Sequence, residues 1–247
     1  MIAANFTTTQ FVVVAAVVCF SAMVTAVAGF GFGLMSVPLM SLAIDLHDAV
    51  IVSSIVAVLA NGTQTYLYRR VRDRRLANRL LIATVLGLPF GYLIYELVSD
   101  RALRIALGIG VIVAVAALAR GVDLAHLGPR MDWVLGFTSG VLNTSISTSG
   151  PPLVFDLQAR KLAPEAFIAT INYVFLFSGL IGLGIFTAGG KVHAHELLAG
   201  AIAAPALGLG MFVGLPLRKR FSPGRFRVLV LVLLVAAAVA AMSKAVT

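Results

Sequence analysis

The chain alternates long apolar stretches with short polar or glycine-rich interruptions, a pattern that predicts helices threading a bilayer. Runs of about 20 apolar residues suffice to cross. They can be read near Gln10 to Gly29, Asp48 to Tyr68, Leu76 to Val98, Ala102 to Ala119, Met131 to Ile146, Pro164 to Ala188, Ala194 to Leu217 and Phe226 to Met242. Two shorter pieces, Leu34 to Ile44 and Pro151 to Leu157, suit half-membrane helices or the returning arm of a hairpin better than independent spans. No Lys or Arg precedes Phe11 to Val18, and no convincing small-residue cleavage site follows, so this run reads as a first helix rather than a signal peptide.

The two interruptions before the short pieces echo each other. Gly29-Phe30-Gly31-Phe32-Gly33, with Pro38 close behind, begins 116 positions before Ser145-Ile146-Ser147-Thr148-Ser149-Gly150-Pro151-Pro152. Pro89 and Pro205, and Leu46 and Leu162, match at the same offset. A weak internal repeat whose helices break at corresponding positions is a pointer to a transporter's binding site. It divides one membrane domain into residues 1–120 and 121–247.

Composition fixes the solvent. Apolar residues make up 60% of the chain and charged ones 12%, with a mean hydropathy of +1.01, more than a water-soluble domain of this length can hide. The net charge of +9 would suit a nucleic-acid partner, but its distribution speaks for topology instead. Arg69, Arg70, Arg72, Arg74, Arg75 and Arg79 form one group; Arg218, Lys219, Arg220, Arg225 and Arg227 form another; Arg120 with Arg130 and Arg160 with Lys161 form two more. Placing all four in the cytoplasm satisfies the positive-inside rule and leaves Arg101, Arg104, Lys191 and Lys244 outside. That assignment requires each short piece to add a change of side, by crossing or by making a hairpin. Each half then holds about five segments, and an odd-numbered repeat is inverted relative to its twin. The expected fold is an all-α integral membrane protein of two inverted repeats, with broken helices or hairpins meeting near the midplane and both termini external.

Helices that start inside the membrane expose unpaired N–H groups and a partial positive charge, so they can hold an oxyanion without a buried cation. The candidate ligand residues are Gly31, Phe32, Gly33 and Leu34 at the first break, and Asn143, Ser147, Thr148, Ser149 and Gly150 at the second. Thr144 and Ser145 add to the hydroxyl supply there, and Pro151 and Pro152 start the helix without donating. Asn61, Gln64 and Asn172 form a second tier. The bland alternative for each hydroxyl or amide is interhelical glue, or a bond to a backbone carbonyl at a helix break.

No Lys, Arg, Asp or Glu falls at the centre of a confident span, whereas proton or sodium carriers often show an intramembrane carboxylate. Asp156 follows the second break and could line an exit path. His193, His195 and Glu196 could form a weak metal set, yet they read as an exposed loop, so no metal is expected. The lone Cys19 forms no internal disulfide. No acid, base or metal set is visible in the predicted core, which argues against a membrane-embedded enzyme. An anion channel could use the same donors but would need a continuous pore.

The two breaks carry a resemblance. With Gly29-Phe30-Gly31-Phe32-Gly33-Leu34-Met35-Ser36-Val37-Pro38-Leu39 and Ser147-Thr148-Ser149-Gly150-Pro151-Pro152-Leu153, the chain resembles the sulfite exporter TauE/SafE family of bacterial anion transporters over essentially its whole length. Ser147 and Ser149 stand where that family commonly has glycine. The resemblance implies a secondary transporter of the bacterial inner membrane, working by alternating access on sulfite or a small organosulfonate. No cofactor is expected, the placement of the basic residues excludes a nucleic-acid partner, and a homo-oligomer stays open.

Overall fold

The computed structural model describes residues 6–120, 128–160 and 162–217. The expected span at Phe226 to Met242 and the basic group Arg218 to Arg227 lie outside them. The described residues form nine helices: α1 (Thr8–Ala28), α2 (Phe32–Met40), α3 (Leu46–Tyr68), α4 (Arg74–Leu97), α5 (Asp100–Arg120), α6 (Gly128–Ile146), α7 (Gly150–Ala159), α8 (Pro164–Ala188) and α9 (Ala194–Leu217). Of these, α1, α3, α4, α8 and α9 are long and apolar enough to cross a membrane. Their outward side chains are apolar too, including Val12, Phe90, Leu97 and Phe212, as lipid contact requires.

The first helix starts with a capping box. The Gln10 N–H donates to Thr7 Oγ1 at 3.3 Å, and the Thr7 N–H donates to Gln10 Oε1 at 2.8 Å, satisfying two otherwise orphaned donors. It stops at Gly29, whose φ of 86° is left-handed, and Gly31, at 97°, turns the chain back into α2. The short helix then returns toward its origin: Gln10 Nε2 donates to the Ala43 carbonyl at 3.0 Å. The second short helix does likewise, since Arg160, the residue that closes α7, donates to Asp132 in the second turn of α6. Both short pieces are therefore arms of hairpins, one of the two arrangements that the chain pattern left open.

Small residues set the helix pairing. Helices α4 and α6 run parallel and nearly touch, because a Cβ on Gly87 or Gly140 would overlap the backbone carbonyl of Phe137 or Thr84 respectively. A parallel pair of the same kind joins α1 to α9, where Gly210 and Gly214 lie against the Cys19 and Met23 carbonyls. Without hydrophobic driving force between helices in lipid, such close backbone approach is what packing can gain. Helices α3 and α8 cross the centre antiparallel, with Val58 beside Gly179 and Leu176 beside Gly62.

This arrangement sorts charge to the two ends. One end carries Arg69, Arg72, Arg79 and Arg160, with the buried Asp132 carboxylate accepting from Arg79 at 2.7 Å and from Arg160. The other carries Asp48, Glu96, Asp100 and Glu196, with His47, His193 and His195. On that acidic end Arg104 is buried, held by Asp100 at 2.6 Å and donating to the Ser41 carbonyl at 2.7 Å, which caps the turn that closes α2.

Candidate functional site

The N-termini of α2 and α7 meet inside the bundle. Gly31, the N-cap of α2, supplies no side-chain cap, so the N–H groups of Phe32, Gly33 and Leu34 have no intrahelical acceptor. Glycine at position 33 is required by proximity: a Cβ there would overlap the Ser147 carbonyl oxygen. A Cβ on Gly150 would in turn come within 3.4 Å of Leu34.

The second break is built differently. Ser147 is the one non-glycine residue with positive φ among the described residues, at 51°, a conformation that costs an L-residue roughly 1 to 2 kcal/mol. Its own N–H donates to the Asn143 carbonyl at 2.9 Å, and the Thr148 N–H reaches the Leu142 carbonyl at 3.0 Å, so α6 is closed by backbone bonds. Ser139 Oγ donates to the Ser149 carbonyl at 2.8 Å and fixes the start of α7, which opens with Gly150, Pro151 and Pro152.

Between the breaks lies a cavity of about 40 Å³. A single water needs about 10 to 15 Å³ on this measure, so there is room for a few waters or one small oxyanion. Gly31, Phe32, Gly33, Leu34, Asn143, Ser147, Thr148, Ser149 and Gly150 all line it, as does Asn61. No charged side chain lines it among the described residues. The groups there able to attract an anion are helix ends, amides and hydroxyls alone.

Two second-tier residues stand elsewhere. Asn172 lies outside the lining and donates from Nδ2 to the carbonyls of Gly29, at 2.8 Å, and Ile168, at 2.9 Å, so it holds the first break in place. Gln64 is fully buried outside the lining, with neither amide atom bonded to a described residue. Three of the six polar residues at the second break spend their hydroxyl hydrogens on backbone: Thr144 on Leu88, Ser145 on Val141 and Thr148 on Ile146. Asp156, buried beside Arg160 at 3.4 Å, is likewise outside the lining.

Chain reading missed Ser54, Ala57 and Val58 of α3 and Phe175 and Gly179 of α8, which complete the wall. Ser54 Oγ donates to the Val50 carbonyl at 2.7 Å and lies 3.3 Å from Ser147 Oγ. Ser54, Val58 and Asn61 recur at helical spacing, a signal that could have found this face.

Glu196 and His195 sit in the first turn of α9 at the acidic end rather than in an exposed loop, while His193 lies in the loop just before the helix. The Glu196 side chain is 1% exposed and that of His195 11%, while His193 is half-exposed. Helix α9 begins at Ala194, and its docking on α3 buries the Glu196 carboxylate.

The sequence profile of the family described as Sulfite exporter TauE/SafE matches residues 14–241. The chain belongs to this family. TauE/SafE proteins are membrane transporters, not enzymes, and the multi-pass helical fold accords with that. Among curated proteins, the chain is similar to the "Probable sulfite/organosulfonate exporter TauE" of Cupriavidus necator, at 24% identity over 209 residues, or 81% of each chain. No solved structure matches it.

Proposed function

We propose that this TauE/SafE protein is a secondary transporter that carries a small oxyanion, sulfite or a small sulfonate, across the bacterial inner membrane by alternating access. The observation that carries the reading is the meeting of the α2 and α7 N-termini across Gly33 and Ser147, around an uncharged cavity the size of a small oxyanion. Orphan N–H groups at a helix start bind anions without a counter-cation. The cavity volume favours sulfite over larger sulfonates in this conformation.

Helix pairing supports two inverted repeats, residues 1–120 and 121–247. Exchanging α1 to α4 for α6 to α9 turns the α1 and α9 pair into the α6 and α4 pair, and maps α3 with α8 onto itself. The short helices re-enter from opposite ends, as inversion demands. With the arginine-rich end in the cytoplasm by the positive-inside rule, the acidic end and both termini face outward.

Purified protein in liposomes tests the reading. Saturable sulfite flux, inhibited by competing small oxyanions, is expected, with a sulfite-dependent rise in melting temperature. A conductance that does not saturate would assign a channel instead.

A further inference from the structure

We infer that His193, His195 and Glu196 form a binding site for a divalent transition-metal cation of the zinc class, with Asp48 within reach as a fourth ligand. This lies beyond the anion site, at the acidic end of the bundle. Glu196 is pinned by the His193 N–H, which donates to Oε2 at 2.7 Å. That leaves Oε1 facing two imidazole nitrogens, His193 Nδ1 at 3.3 Å and His195 Nε2 at 3.4 Å.

Both separations stand at the long end for hydrogen bonds, which cluster at about 2.7 to 3.2 Å, although the first is one. They match the edge of a tetrahedron whose centre lies about 2.0 to 2.1 Å from each ligand, roughly 3.3 Å, as around zinc. The three donor atoms lie within 4.8 Å of one another, and a turn of the half-exposed His193 ring would bring them to one centre. Asp48 Oδ1 stands 3.8 Å from His195 Nε2, so a small side-chain rotation would bring it in.

The donors are also held and in need of charge. Phe6 packs edge-on against the His195 ring at 5.1 Å, and the His193 ring stacks over it at 5.5 Å. The buried Glu196 carboxylate has only these two histidines as ion-pair partners among the described residues, and a buried carboxylate is costly without a positive neighbour. A cavity of about 200 Å³ beside His193, Glu196 and Asp48 gives a cation access. Two imidazoles with carboxylate oxygen suit zinc, whereas calcium and magnesium take all-oxygen sets. A cation here would tie the first turn of α9 to the first turn of α3.

The test uses the full chain, purified on a tag without histidines, stripped with chelator and titrated with Zn²⁺ by calorimetry and with Co²⁺ by visible absorption. One cation per chain is expected, with the d–d bands of tetrahedral Co²⁺, a Zn²⁺-dependent rise in melting temperature that chelator reverses, and no rise with Mg²⁺. Removing a ligand should cost at least the 10- to 100-fold typical of residues behind the ligands. His195→Ala should therefore weaken Zn²⁺ by about 100-fold or more. His193→Ala, at a half-exposed position that leaves the fold intact, should weaken it comparably. Absence of micromolar Zn²⁺ binding by the native chain would overturn the site, as would unchanged affinity in the His193→Ala, His195→Ala double variant.

Discussion

Gly33 and Ser147 touch through bare backbone: the Gly33 Cα lies so close to the Ser147 carbonyl that no side chain fits between them. Gly33→Ala should therefore push the two helix starts apart, lowering the melting temperature and abolishing sulfite flux. Gly31 has open space around it but a φ of 97°, so Gly31→Ala pays strain alone, about 1 to 2 kcal/mol, and should retain partial flux. Equal behaviour of the two variants in melting and liposome assays would count against contact as the cause.

At the second break, strain and ligand contact separate at a single residue. Ser147→Gly releases the left-handed conformation and should stabilise the unliganded protein by about 1 kcal/mol. If the hydroxyl contacts the anion, its loss leaves a ligand oxygen unpaired at about 1 to 3 kcal/mol, or roughly 5- to 150-fold weaker sulfite binding. Thr148→Val should behave oppositely, because its hydroxyl is committed to the Ile146 carbonyl: a lower melting temperature with little change in affinity. Melting and calorimetric titration of both variants read the two patterns directly.

The breaks were legible in the chain because their chemistry is local. Gly29, Gly31, Pro151 and Pro152 each dictate backbone geometry wherever they stand, and all nine first-tier residues reach one cavity. Its walls were not legible, because Phe175 and Gly179 belong to an uninterrupted apolar helix whose inward face is chosen by packing against α3. For the same reason Gln64, one turn from Asn61, missed the cavity, and Asn172 turned toward the Gly29 carbonyl. Burial of Glu196 depends on α9 docking beside α3, a long-range contact that no local pattern encodes.

At the arginine-rich end, Asp132 is fully buried and serves both Arg79 and Arg160. Asp132→Asn removes the shared counter-charge that joins the α6 and α7 hairpin to α4. Breaking a buried pair costs about 3 to 5 kcal/mol. Both guanidinium groups are about a third exposed, so screening lowers the expected loss to about 2 kcal/mol. Thermal melting should show the loss, and hydrogen exchange should quicken in α7 more than in α3.

Topology can be read by thiol labelling in a Cys19→Ser background. Arg70→Cys, exposed at the arginine-rich end, should react with an impermeant maleimide only after the cells are opened. Asp45→Cys, exposed at the opposite end, should react in intact cells. The reverse pattern would invert the orientation.

A binding cavity without a charged side chain among the described residues has an electrical consequence. Under the proposed alternating-access reading, the empty carrier moves no whole charge through this site, while the loaded carrier moves that of its cargo. The loaded step alone then senses membrane voltage, at about 2.3 kcal/mol per charge for each 100 mV. Under that reading an inside-negative potential drives the anion outward without need of a partner ion. Flux from proteoliposomes should rise as a potassium diffusion potential is made more negative inside.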